Sequence, residues 1–166
     1  IQDCQFSSLP SSSVAIGLSG SAQANTSVRR CQVFAVGTNT ISCTHTTALD
    51  NVGHMVENCL LQPDRGGTGV RVTRIGGIMV RNCTMINGLS AVVVATALSS
   101  GQAISVHNCV FNSLSTALSA TATGEIIEDY NAFSLSGVAR SNVATGANSN
   151  ASAVLFLSPL LMAGYR

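Results

Sequence analysis

The sequence contains no lysine and no tryptophan, only 3 prolines, and charged residues at just 9%. Each shortage removes a class of protein. A chain that stays disordered in water combines high charge with little hydrophobic content; here hydrophobic residues reach 46%, the reverse balance. A helical domain normally shows Lys and Glu on its exposed faces, and this chain has too few of either. A nucleic-acid surface needs concentrated positive charge. The formal net charge is +1 and every basic side chain is arginine, so no nucleic-acid partner is expected. Long apolar runs are missing too. A membrane helix takes about 18 consecutive apolar residues, and the longest candidate, residues 151–163, is broken by Ser152, Ser158 and Pro159. No membrane span is expected.

What the chain does have is a repeat. The hexamers IQDCQF, VRRCQV, VENCLL, VRNCTM and VHNCVF begin at positions 1, 28, 56, 80 and 106, and a sixth, IEDYNA at 127, carries tyrosine in place of cysteine. A fixed hexamer at uneven spacing is the mark of a solenoid whose loops vary in length. Strict strand alternation would put Val80 and Asn82 on one face and Cys83 on the other. A bend at the Asn or Asp lets both Val80 and Cys83 point inward, because these residues tolerate a left-handed backbone. The reading places Asp3, Asn58, Asn82, Asn108 and Asp129 at the bend, with Arg30 the exception, and allows the stacked Asn side chains to bond along the column. Second apolar strands are expected over 14–18, 69–73, 91–96 and 116–120, hemmed by Ser and Gly. Parallel connections are almost always right-handed.

These features predict an all-β, right-handed parallel β-helix, a solenoid of about six rungs with an internal cysteine column and Asn/Asp bends. The hexamers VENCLL, VRNCTM and VHNCVF resemble the rungs of pectin-lyase-like right-handed β-helix proteins over residues 1–133. The stretch DYNAFSLSGVARSNVATGANS resembles the last coil of uncharacterised β-helix proteins of bacteria and their phages, so 134–166 is expected to be a last coil or cap of the same domain. That fold hosts lyases, hydrolases, tailspikes and adhesins alike. Six rungs of about 4.8 Å make a short stack. The chain also opens on a rung motif, which points to further residues upstream or to a partner over that end.

Cys4, Cys31, Cys59, Cys83 and Cys109 form the expected column, with Cys43 outside it. Aligned side chains on adjacent rungs run parallel at about 4.8 Å, whereas a disulfide wants Cβ atoms about 3.8 Å apart and a near-perpendicular twist. Free, buried thiols are therefore expected. A line of thiols with no CxxC offers no tetrahedral metal site, and no metal or cofactor is expected.

The position after the first β-branched residue should face solvent, giving Gln2, Arg29, Glu57, Arg81, His107 and Glu128, a ladder of alternating charge. It reads as solvated ion pairs, each worth at most about 1 kcal/mol, or as a groove for a polar or acidic glycan with His107 as acid/base. Asp64, Arg65, Arg71 and Arg74 surround the GGTG string, either a carboxylate or sulfate site or a wide turn. His45 and His54 flank Asp50 in what reads as a long Thr-rich loop. The motifs NTD, DD, GHG and RIK of polygalacturonase-like members are absent. The sequence thus points to a non-catalytic structural or binding segment of an extracellular, cell-surface or virion appendage that contacts glycans. Phage spikes of this architecture are trimers, so self-association as trimer or filament, or assembly with other appendage subunits, is implied. The alternative is a piece of a polysaccharide lyase or glycoside hydrolase.

Overall fold

Parallel strands cannot be joined by a tight hairpin, so each must return to its starting level through further strands and corners. A computed structural model shows how this chain does so. The structure describes residues 1–7, 13–20, 25–49 and 53–150, and among them are 15 strands and no helix. The first face is a five-stranded sheet of β3 (Ser27–Arg29), β6 (Met55–Glu57), β9 (Met79–Arg81), β11 (Ile104–His107) and β13 (Ile126–Asp129). The second stacks β1 (Gln5–Ser7), β4 (Gln32–Val36), β7 (Leu60–Pro63), the first halves of β10 (Thr84–Thr96) and β12 (Val110–Ser119), and β14 (Ala132–Ser134). The third stacks β2 (Val14–Gly20), β5 (Asn39–Leu49), β8 (Thr68–Ile75), the second halves of β10 and β12, and β15 (Val138–Ser141). Every pairing is parallel. The expected second strands fall within β2, β8 and β10 and, but for Ala120, within β12.

Register lines up the core. Val28, Val56, Val80 and Val106 stack on the first face, Val33, Leu61, Met85, Phe111 and Phe133 on the second, and Ile16, Ile41, Val70, Val92 and Leu118 on the third. All of these are buried. The rings of Phe111 and Phe133 meet at 5.2 Å between centroids, a separation at which aromatic pairs add to area burial.

The corner between first and second faces is the predicted bend. Asp3, Arg30, Asn58, Asn82 and Asn108 all have φ between 50° and 56°. The Asn side chains are exposed there, and the links along the stack are backbone ones, such as Asn58 N–H to the Arg81 carbonyl at 3.2 Å and Asn82 N–H to the His107 carbonyl at 3.1 Å. Just past the bend, the N–H groups of Gln32, Leu60, Thr84, Val110 and Ala132 donate to the carbonyls of Cys4, Cys31, Cys59, Cys83 and Cys109, at 2.9–3.0 Å.

Two expectations need correction. First, the sixth rung sits one residue later than its hexamer suggests: Glu128 pairs with Val106 and Asp129 with His107. The bend there is Tyr130, at φ 56°, not Asp129. Asn131 takes the cysteine position, and Ile127, read as the inward residue, is exposed. A one-residue slip exchanges inner and outer faces. Second, the Thr-rich segment carrying His45 is not a loop. It is strand β5, paired to β2 and β8, as its run of β-branched residues permits.

An L-residue without a short polar side chain pays to hold a left-handed backbone. Asn82→Val should therefore lower stability by about 1–2 kcal/mol, while Asn82→Gly changes it little, both read from urea unfolding followed by circular dichroism.

Candidate functional site

The outward line of the first face runs Gln2, Arg29, Glu57, Arg81, His107 and, after the register correction, Asp129. Its centre is a clamp. Arg29 Nε lies 2.8 Å from Glu57 Oε1, and Arg81 donates to Glu57 Oε2 from Nε at 2.8 Å, with Nη2 at 2.7 Å. The two arginines cover the carboxylate so well that Glu57 is only 7% exposed. This is more than the solvated ladder expected: one carboxylate shared by two guanidiniums, one against each oxygen. At the bend beside it, Arg30 forks onto Asp3 through Nε at 2.6 Å and Nη2 at 2.7 Å.

At the lower end of the line a later segment engages the carboxylate. Asp129 accepts from the Asn148 backbone at 2.7 Å and side chain at 2.9 Å, and from Tyr130 N–H at 3.0 Å. The Asn148 side chain does most to hold this carboxyl below its usual range. His107 stands one turn earlier, partly buried, beside Asp129 in register.

Glu128 is displaced furthest from expectation. It occupies the interior position filled by valine in four earlier turns, and its residue is 4% exposed. Arg140 likewise occupies the position of Leu118. The two meet at 2.7 Å, and the guanidinium lies 4.3 Å from the centre of the Phe133 ring. Glu128 also accepts from Gly146 N–H at 2.7 Å, from Asn131 Nδ2 at 2.8 Å and from the Ser149 hydroxyl. Burial, the largest influence, pushes its pKa up; the Gly146 N–H, Ser149, Asn131 and Arg140 together outweigh it, leaving the carboxyl below its usual 4.5. Gly146 has no alternative here, since a Cβ would collide with the Glu128 carbonyl.

Asn131 shows how the substitution fits. In the turns above, Cys59, Cys83 and Cys109 each point a thiol at the carbonyl of the valine one turn back, at 3.6–3.8 Å, and at the carbonyl two residues earlier in their own turn. Asn131 Nδ2 donates to the corresponding Val106 carbonyl at 2.8 Å and its Oδ1 accepts from Cys109 N–H. The amide does what the thiol did, at shorter range. All six cysteines are free. Burial pushes Cys43 up to about 12, and Cys59 and Cys83 are pushed up by hydrogen bonding along the row and by burial.

The second candidate cluster does not assemble. Asp64 and Arg65 sit on an exposed turn closed by Gly67 N–H to the Asp64 carbonyl at 2.7 Å. Arg71 lies on β8 opposite Ser42 and Val93, and Arg74 further along the same strand at φ 59°. An open depression of about 560 Å³ beside the turn is lined by Gln62, Asp64, Arg65, Asn87, Ser113 and Ser115 among others, and by neither Arg71 nor Arg74. Asp50, the third member of the His45–His54 set, lies outside the described residues. The two histidines themselves are buried, at 3% and 4% exposure, where solvated loop positions were expected. Nothing local in the sequence signals this; only the register of β5 does.

Breaking one half of a buried ion pair costs about 3–5 kcal/mol, while replacing both halves with packed apolar residues is often neutral or better. Glu128→Val alone should destabilise by that amount. Adding Arg140→Leu, which continues the columns of the turns above, should recover most of it in urea unfolding. The wild-type contribution of Glu128 is fully present above pH 4.5, the ordinary value, and fades as the pH falls through the lowered folded value. Iodoacetamide labelling of the native protein should reach the half-buried Cys4 first and leave Cys43, Cys59 and Cys83 unmodified until the chain unfolds. No family model, curated protein or solved structure matches the chain.

Proposed function

We propose that the chain is a non-catalytic structural and binding segment of a larger extracellular, cell-surface or virion appendage, a fibre, spike or adhesin, on the pectin-lyase-like plan. It works as a rigid spacer that self-associates and touches glycans along its flank. The observation that carries this reading is the state of the carboxylates. Glycoside cleavage requires two carboxyl groups facing one another across open space, about 5–9.5 Å apart. Here Asp3, Glu57, Glu128 and Asp129 are held by arginine or asparagine, and Glu125 is tied to the N–H groups of Leu98, Thr121 and Ala122, each at 2.8 Å. Among the described residues Asp64 alone has an unengaged carboxylate. A single free acid among the described residues favours contact with a sugar over its hydrolysis.

The polar depression beside Asp64 supports the glycan part of the reading. It offers amides, hydroxyls and one guanidinium along consecutive turns. No helix of the described residues is long and apolar enough to cross a membrane.

Light scattering on the purified chain should return a trimer or a filament, and incubation with neutral and acidic polysaccharides should release no new reducing ends and no unsaturated products. Polysaccharide cleavage that disappears in Asp64→Asn would replace this reading with an enzymatic one.

A further inference from the structure

His54 stands at a position the following turns fill with isoleucine. Met79 N–H donates to the His54 carbonyl and Ser105 N–H to the Ile78 carbonyl, while Ile104 pairs with Ile126. The column therefore reads His54, Ile78, Ile104, Ile126. His45, on β5, comes from the third face to meet it at the corner, with ring centroids 5.8 Å apart and planes tilted by 34°. Both rings are more than nine-tenths buried. Thr26 N–H, one turn earlier, donates to His54 Nδ1 at 3.2 Å. His54 Nε2 and both nitrogens of His45 have no partner. Burying polar atoms this way costs stability, and isoleucine would avoid the cost.

The Thr26 bond decides what the pair does. An N–H donor on Nδ1 requires a bare lone pair there, so the neutral ring carries its proton on Nε2. That arrangement is wrong for a resident metal. A ligating histidine leaves one nitrogen bare for the ion and donates from the other, and here Thr26 already uses the bare one. The arrangement is right for a ring kept neutral. Any second proton must land on Nδ1, where it displaces the Thr26 bond and leaves a charge in the interior beside another imidazole.

We propose that His45 and His54 form a buried proton switch: protonation of His54 breaks its bond to Thr26 and loosens the entry of β6 from the entry of β3 one turn earlier. Among the described residues, the groups around the pair do not oppose this. Cys43, two residues along β5, stays a neutral thiol. Arg74 on β8 is exposed and of the wrong sign to stabilise a cation. Arg29 on β3 and Glu57 on β6 face outward into their own clamp. Among the described residues no carboxylate reaches either ring. Burial, followed by repulsion from His45, holds the His54 pKa below 6.5. The unfolded chain then binds the proton first, so stability falls as the pH drops below the ordinary value.

The test is amide exchange of the full chain, as protection factors corrected for intrinsic rates, at pH 7.5 and 5.5, with imidazole NMR on the same samples. Protection over β2, β3 and β5 should fall by up to about tenfold between pH 7.5 and 5.5, the lower pH lying about one unit below the ordinary histidine value, with β11 to β13 unchanged. In His54→Ile the fall should vanish. Three results would overturn the proposal: wild-type protection that does not change while His54 titrates at its ordinary value, an acid-induced loss that persists in His54→Ile, or a gain in protection at pH 7.5 on adding zinc chloride, which would make the pair a metal site. The wild-type measurement decides the matter even if the variant does not fold.

Discussion

The register of the stack depends on the backbone bond just past the first bend. There the N–H after each cysteine position meets the cysteine carbonyl of the turn before, five times in succession. The bend itself needs a positive φ, and the residue that supplies it determines which of its neighbours faces the core. Valine and cysteine, three positions apart and so on opposite faces under strict alternation, both turn inward because of it. Loops elsewhere vary in length without disturbing this point, since each turn touches only the turns above and below.

Charge is distributed in the same economy. With so few ionisable groups, nearly every described carboxylate is matched to a specific donor. On the first face Glu57 binds two arginines from different turns and ties three levels of β3, β6 and β9 together. In the last described turn the ions move inside: Glu128, Asn131 and Arg140 replace valine, cysteine and leucine at interior positions. There the hydrophobic column gives way to a polar layer whose hydrogen bonds reach forward to Gly146 and Ser149.

The solenoid and its bend were legible because the hexamer repeats both a conformational requirement and a core position. Arg30 could be accepted at the bend because the strings on either side of it matched. The last rung was misread for a physical reason. Ile126 and Ile127 are both β-branched, so the string alone allows either to face inward, and tyrosine at positive φ is unusual enough to hide the true bend. What settles the register is Arg140 and Ser149, twelve and more residues downstream, which receive Glu128 in the interior. Strand β5 was hidden for a related reason: threonine and serine suit a sheet surface and a loop equally well, and its partners lie a full turn away on β2 and β8. The Asp64 cluster failed because sequence proximity along a solenoid puts residues on different faces.

The pairing pattern also has a mechanical consequence. All three faces hydrogen-bond along the same direction, the direction in which the turns are stacked. A force spread across whole turns along that direction must strain the ladders of all three faces at once. A force on one chain end strains a single rung, which yields before the next is engaged. Such an object is stiff in compression and tension as a shaft, yet unravels stepwise by its thread, and the Glu57 clamp and the Glu128–Arg140 layer are the places where that unravelling would pause.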